Sequence, residues 1–159
     1  MNPYPSDALV FFGATGDLAF KKIFPSLMAM VRRGTLNVPV IGVAKAGWTL
    51  KQFQIRAKES IESKGEFDSF DFGKLISLLR YVDGDYKDHE TFNQIRKELG
   101  AAKNPAHYLA IPPVLFGTVV SQLEKSGCAR GARIIVEKPF GTDLPSAKAL
   151  NDILSEAFD

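Results

Sequence analysis

Short apolar runs alternate with stretches of helical spacing along this chain, and that alternation constrains the fold more than any other feature. Five runs rich in Val, Ile, Phe and Leu predict strands at residues 8–12, 39–44, 79–83, 107–111 and 133–137. Their near-continuous hydrophobicity is typical of strands that are buried on both faces. Between them, apolar residues recur every three or four positions, which predicts helices. The sequence therefore predicts an α/β fold with about five parallel strands and helices on both faces.

Size and composition narrow the function classes. The 159 residues fit one domain, 45% of them are hydrophobic and 24% are charged, so a packed core is expected. The net charge of +2 is spread along the chain and does not indicate a nucleic-acid partner. The single cysteine, Cys128, cannot form an intrachain disulfide, and the N-terminal sequence resembles neither a signal peptide nor a membrane span. We expect a cytoplasmic protein.

Local signals place several helix ends. Thr49 followed by Gln52 matches a capping box, which predicts a helix starting at Leu50. Glycines at 34, 100 and 127 follow periodic runs and are expected in the left-handed conformation that ends helices. Residues 65–73 fit neither template, and we expect a loop there that leads into a helix at 74–78. Pro25 predicts a short turn over 17–21, a break near Phe24 and a main helix to Arg33.

A glycine-rich turn directly follows the first strand. The segment Gly13-Ala14-Thr15-Gly16-Asp17-Leu18 runs from that strand into a helix. Gly13 permits a tight turn and Gly16 permits close approach of a pyrophosphate, whose charge is favoured at a helix N-terminus. The third glycine of the usual fingerprint is missing, and a structural strand-to-helix turn is the alternative. In this context the turn predicts a doubly wound, Rossmann-like sheet that binds a dinucleotide.

The end of the second strand bears on the choice of coenzyme. An acid there would accept the 2′-hydroxyl of NAD and repel the 2′-phosphate of NADP. The sequence instead reads Gly42-Val43-Ala44-Lys45, with a lysine at the tip. The charge therefore favours NADP, although NAD remains possible because a lysine is a less specific phosphate ligand than an arginine. An exposed loop lysine without a binding role is the alternative.

Three segments together resemble a known family. They are the glycine turn with its Asp-Leu-Ala continuation and the following Lys-Ile-Phe-Pro, the segment Tyr108-Leu109-Ala110-Ile111-Pro112-Pro113, and the segment Glu137-Lys138-Pro139-Phe140-Gly141. In this order they resemble the N-terminal coenzyme domain of glucose-6-phosphate dehydrogenases. The resemblance runs from about Asp7 to the end of the chain. It implies a dinucleotide-binding domain over 1–159 and a substrate domain that is absent from this chain.

The resemblance also implies residue roles. Gly13, Thr15, Gly16, Asp17 and Leu18 would surround the pyrophosphate, and Lys45 would lie near the 2′-phosphate. Tyr108, Ala110 and Pro113 would line the nicotinamide side. Lys138 would contact the sugar phosphate and the coenzyme, and Pro139 would be cis. Full-length members of the family form homo-oligomers. The family usually has Arg at the position of Lys45 with a polar neighbour, whereas Ala46 and Gly47 follow here.

The resemblance implies oxidation of glucose 6-phosphate to 6-phosphogluconolactone in the pentose phosphate pathway, which requires a base to accept the hydroxyl proton. Only His89 and His107 are present, and we expect neither to be catalytic. His89 lies at the start of a predicted surface helix, and His107 at the predicted entrance of strand four, away from the coenzyme. In the family the catalytic histidine follows the region where this chain stops. We therefore expect no catalytic residue, no metal site and no activity of this fragment alone.

Two alternatives stay open. A Glu-Lys-Pro segment after strand five also occurs in the inositol and glucose-fructose oxidoreductase group, although those proteins lack the Gly-Asp-Leu-Ala continuation. The other alternative is a dinucleotide-sensing module that has no catalytic activity.

Overall fold

A five-stranded parallel sheet forms the centre of the molecule. The computed structural model describes residues 5–65 and 67–136 of the chain. The strands are β1 (Ala8–Phe12), β2 (Val40–Ala44), β3 (Leu79–Asp83), β4 (Pro105–Leu109) and β5 (Arg133–Ile135). They are ordered β3-β2-β1-β4-β5, and every neighbouring pair is parallel. The predicted parallel sheet is confirmed.

Helices connect the strands. They are α1 (Phe24–Arg33), α2 (Leu50–Glu62), α3 (Ser69–Leu78), α4 (His89–Leu99) and α5 (Phe116–Ser126). A π-helical turn at Ala19–Ile23 precedes α1, and a 3-10 turn at Pro113–Leu115 precedes α5. Within the described residues, none of these helices combines the length and apolar character that crossing a bilayer would need.

Each face of the sheet has its own core. The helices α1, α2 and α3 pack on one face, where Phe24, Phe53 and Leu75 are buried in the same cluster as Phe11. The helices α4 and α5 pack on the other face, where Phe92 meets Phe12. Alternate residues of β1 thus point into different cores, because successive side chains of a strand project to opposite faces. The doubly wound arrangement that the sequence predicts is confirmed.

Strand boundaries differ from the predicted ones in the second half of the chain. The prediction of 107–111 for β4 was wrong by two residues at each end, because the strand starts at Pro105. A proline is tolerated as the first residue of a strand, where its missing N–H is not needed. Strand β5 runs from Arg133 to Ile135, and the predicted end at 137 lies outside the described residues. Strand β2 starts at Val40, one residue later than predicted.

Two helix predictions were also wrong. Residues 69–73 belong to α3, which starts after Asp68, whose carboxylate accepts hydrogen bonds from the N–H groups of Phe70 and Asp71. The expected break near Phe24 is absent, and the helix instead widens into a π-helical turn. There the Phe24 N–H donates to the Ala19 carbonyl, five residues back. This widening lets the helix accommodate Pro25 without a break.

Helix ends follow the local signals more closely. The capping box of α2 is present, with Thr49 and Gln52 each accepting from the other's backbone N–H. Gly34 and Gly127 adopt the left-handed conformation, as predicted. Gly100 has a positive φ of 58° but a ψ of −118°, which lies outside the left-handed helical region, so that prediction was wrong.

Candidate coenzyme site

The chain reverses its direction of sheet growth between β1 and β4. Strands β2 and β3 extend the sheet to one side of β1, and the chain then returns to place β4 on its other side. Dinucleotides bind outside the carboxyl ends of the strands at such a switch point. The glycine turn follows β1 at this edge, and Ala110 follows β4 beside it, with its N–H donating to the Phe12 carbonyl over 3.1 Å.

Gly13 follows β1 and is in close contact with the ends of β2 and β4. Its φ is +85°, and a Cβ at this position would lie 2.1 Å from the carbonyl oxygen of Ala110. Its N–H donates to the Val43 carbonyl at the end of β2, 3.0 Å away. Any side chain here would therefore clash with backbone and also strain the turn. Gly13 is required by the packing of three strand ends.

Gly16 stands in a different environment. It is exposed and lies outside the positive-φ region, and a Cβ there would meet only the Gly13 carbonyl oxygen at 3.4 Å. The protein therefore leaves open space at this position, which suits the approach of a ligand phosphate. Asp17 is also exposed, whereas Thr15 and Leu18 are half-buried and Leu18 packs against the core. The structure thus brings the five predicted turn residues together at the edge of the sheet.

Ala19 occupies the place three residues after Gly16. It is fully buried at the start of the π-helical turn. The third position of the fingerprint serves close packing between helix and strand, and alanine fulfils that requirement as well as glycine. The missing third glycine is therefore explained by an alanine with the same packing role.

Tyr86 supports the glycine turn and was missed by the sequence analysis. Its hydroxyl accepts a hydrogen bond from the Gly13 N–H over 2.8 Å and lies 3.3 Å from the Val43 carbonyl, to which it can donate. Its ring packs edge-on against Phe12. Burial raises the pKa of Tyr86, so the hydroxyl stays protonated at neutral pH. The available signal was its place just after β3, at the carboxyl edge of the sheet.

Lys45 lies at the end of β2, as predicted, but it has a partner. Its ammonium is 3.1 Å from a carboxylate oxygen of Asp85, and its side chain is 71% exposed. Asp85 also accepts from the Lys87 N–H over 2.9 Å. That backbone hydrogen bond, followed by the bond from Lys45, lowers the pKa of Asp85. No acidic residue follows β2, but the turn after β3 places the Asp85 carboxylate next to Lys45.

Asp83 holds the loop that follows Lys45. One of its carboxylate oxygens accepts from the N–H groups of Ala46, Gly47 and Trp48, at 3.0, 2.9 and 3.3 Å. The hydroxyl of Tyr81 donates to the same oxygen. Partial burial acts to raise the pKa of Asp83, but these hydrogen bonds lower it overall. One side chain therefore fixes three successive backbone donors, and no local sequence pattern indicates this contact.

The end of β4 forms the other wall of the site. The Tyr108 side chain is buried in the core that contains α1, with 1% exposure, and it does not open onto the edge of the sheet. Ala110 is half-buried and packs against that core, whereas Pro113 is exposed at the start of the 3-10 turn. Of the three predicted nicotinamide-side residues, Ala110 and Pro113 therefore present surface at the edge.

Each of the two histidines has a partner outside the glycine turn. His89 begins α4 and is exposed, with Nδ1 3.4 Å from an amide oxygen of Gln122. His107 is not at the strand entrance as predicted but in the middle of β4, opposite Val10 and fully buried. Its Nε2 is 2.8 Å from the Cys128 carbonyl. Burial lowers the pKa of His107 to about 4, so it is neutral at pH 7 and donates this bond.

Two further expectations concern other parts of the site. Lys138 and Pro139 lie outside the described residues. Within the part of the chain that the structure describes, no three His, Cys, Asp or Glu side chains are grouped so that they could hold a metal ion.

Comparisons with known proteins agree with this geometry. Residues 10–159 match the family model for the glucose-6-phosphate dehydrogenase NAD binding domain. A glucose-6-phosphate 1-dehydrogenase of Mycobacterium bovis is 40% identical over 146 residues, which are 92% of this chain and 31% of that protein. The chain thus spans about a third of the relatives it matches.

Solved structures give the same result. The crystal structure of a glucose-6-phosphate 1-dehydrogenase from Mycobacterium avium superposes with a TM-score of 0.82 at 43% identity, covering 98% of this chain and 34% of that one. A glucose-6-phosphate dehydrogenase in complex with its substrate glucose-6-phosphate gives a TM-score of 0.74 at 28% identity, covering 99% of this chain and 36% of the other.

These matches extend over the whole described sheet and include the edge where the glycine turn, Lys45 and Ala110 lie. The matching family model is that of a domain that binds a nicotinamide dinucleotide. The chain belongs to the glucose-6-phosphate dehydrogenase family and represents its NAD-binding domain.

Proposed function

We propose that this chain is the coenzyme domain of an enzyme that oxidises glucose 6-phosphate to 6-phosphogluconolactone and passes hydride to NADP. The observation that carries the proposal is the edge of the sheet at the β1/β4 switch point. There an open glycine position, Gly16, follows β1, and the neighbouring strand β2 is followed by a cation, Lys45, in place of an acid. This combination suits a pyrophosphate and a 2′-phosphate.

Each element of the edge has a distinct task in this proposal. The turn from Gly13 to Leu18 would bind the pyrophosphate, with Gly16 leaving room for it. Lys45 would attract the 2′-phosphate. Ala110 and Pro113 would border the nicotinamide, with Tyr108 supporting them from the core. When it is bound, the coenzyme supplies the hydride acceptor.

The substrate half of the reaction rests on residues beyond this edge. Lys138 would contact the sugar phosphate. The proton acceptor would come from outside these 159 residues, because His89 is exposed beside Gln122 and His107 is buried and hydrogen-bonded. We further propose a homo-oligomeric full-length enzyme in a reducing, cytoplasmic setting. The free thiol of Cys128 is buried, which is compatible with such a setting.

Coenzyme choice is tested by reversing the charge at Lys45. Lys45→Glu would repel a 2′-phosphate and offer an acceptor to a 2′-hydroxyl. Calorimetric titration should show NADP binding weakened at least about tenfold, with NAD unchanged or improved. Lys64→Glu is the matched control, because it makes the same charge change in the exposed turn after α2, at the other end of that helix. Parallel losses for both coenzymes would contradict the proposal.

The phosphate turn is tested at Gly16. Gly16→Val fills the open space without a backbone clash, so coenzyme affinity should fall sharply while the melting temperature changes little. Gly73→Val on the exposed side of α3 controls for the added side chain. A Gly16→Val variant that keeps its affinity but melts early would make this a structural turn only.

Activity separates the enzyme from a sensing module. The 159-residue chain should bind coenzyme yet produce no NADPH from glucose 6-phosphate. Steady NADPH formation by the pure chain would place the base within these residues and contradict the proposal. A protein that contains this domain and, with its substrate domain intact, still fails to oxidise the sugar phosphate would support the sensing module.

A further inference from the structure

The cation that would select NADP is already paired in the protein. Lys45 donates to Asp85 over 3.1 Å, across the ends of β2 and β3. Lys87, the next lysine in that turn, also lies close enough to act on the Asp85 charge. Residues 83–88 read Asp-Gly-Asp-Tyr-Lys-Asp, so three carboxylates stand against one lysine there. Adding Lys45 to this turn leaves its formal charge at −1.

A 2′-phosphate reaching Lys45 would meet this carboxylate. To pair with the ammonium it would have to displace Asp85, and the loss of that ion pair reduces the net attraction between Lys45 and the phosphate. The 2′-hydroxyl of NAD carries no charge and is not subject to this penalty. The Asp85 carboxylate therefore acts selectively against one coenzyme.

We propose that Asp85 is a specificity-determining residue that offsets the charge of Lys45 and so keeps the coenzyme site open to both NAD and NADP. This inference rests on the proposed role of Lys45 in NADP binding. It assigns Asp85 no contact with the coenzyme, because its effect passes through the lysine.

Asp85→Asn tests the inference with little structural disturbance. The asparagine oxygen can still accept the hydrogen bond from the Lys87 N–H, so the turn is retained. In the 159-residue chain, NADP affinity measured by calorimetric titration should rise about threefold, the range expected for freeing one exposed ion pair, and NAD affinity should stay constant. Glu124→Gln, an exposed site in the last turns of α5, removes the same charge elsewhere and should change neither affinity.

A double-mutant cycle shows whether the effect passes through Lys45. In a Lys45→Met background, Asp85→Asn should leave NADP affinity unchanged within error. An equal gain in both backgrounds would mean direct repulsion by the carboxylate and would overturn the inference. A loss of NADP affinity in Asp85→Asn would mean that the carboxylate holds Lys45 in place for the phosphate, which would also overturn it.

The double-mutant cycle distinguishes the role of Lys45 in NADP binding from the effect of Asp85 on Lys45. If Lys45→Met does not weaken NADP binding, the proposed role of Lys45 fails. If Lys45→Met weakens NADP binding but Asp85→Asn does not strengthen it, only the inference about Asp85 fails.

Discussion

The ends of β1 and β2 lie side by side at the same edge of the sheet, yet they are held in different ways. The β1 end is fixed by backbone packing, because Gly13 fits between Val43 and Ala110 with no room for a side chain. The β2 end is an exposed loop whose N–H groups are held by one carboxylate from the next strand, that of Asp83.

The difference follows the chemistry that each end would meet. The pyrophosphate is common to NAD and NADP, and a turn fixed by the backbone suits a group that never varies. The 2′ substituent differs between the two coenzymes, and a loop held by side chains can be altered by single substitutions. We infer that the β1 end provides binding and the β2 end provides selectivity.

The strongest test of this comparison is Gly13→Val. The substitution combines a positive φ with a clash against the Ala110 carbonyl, so the free energy of unfolding should fall by about 4 kcal/mol. Urea denaturation measures the loss, and Gly16→Val, which lacks both problems, is the matched control. Equal stability of the two variants would show that the β1 end is not fixed by packing.

Lowering the pH should reduce the free energy of unfolding through His107, a buried residue of β4 that packs against β1. His107 packs against Phe12, next to Gly13, and its native pKa is about 4. The unfolded chain takes up that proton near pH 6.5, so the unfolded state binds more protons below that pH and stability falls as the pH falls. The loss should approach about 3 kcal/mol between pH 7 and pH 4. Asp83, whose pKa is lowered, stays charged over most of this range.

His107→Gln provides the comparison for this pH dependence, because glutamine can donate to the Cys128 carbonyl but does not titrate. The slope of unfolding free energy against pH should be flatter in the variant between pH 7 and pH 5. Identical slopes would assign the pH dependence to the carboxylates, which both proteins share.

The smallest expected effect concerns the β2 loop. Asp83→Asn weakens the bonds to the Ala46, Gly47 and Trp48 N–H groups, and their exposure limits the cost to about 1 kcal/mol. Hydrogen exchange at these three amides should speed up. Asp68→Asn, which alters the cap of α3, is the control. Unchanged exchange at the three amides would show that Asp83 does not hold the β2 loop.

Periodicity and turn chemistry predicted most of the fold. Apolar runs located all five strands, and the Thr49 and Gln52 pair placed the start of α2. Residues 69–73 were missed because charges and phenylalanines hide the helical period there, and only the Asp68 cap reveals the start of α3. The end of β4 was misplaced because apolar residues continue past Leu109 after the ladder has ended.

The glycine turn and the lysine after β2 follow from the sequence alone, because both depend on residue types at fixed places beside a strand. The partners of these residues were decided by tertiary structure. Tyr86 contacts Gly13, Asp83 contacts Gly47 and Asp85 contacts Lys45 across 73, 36 and 40 positions of the chain. These contacts form only because parallel strands bring their carboxyl ends together at one edge of the sheet. Local sequence patterns do not predict such contacts, because the order of strands in the sheet determines which distant residues meet.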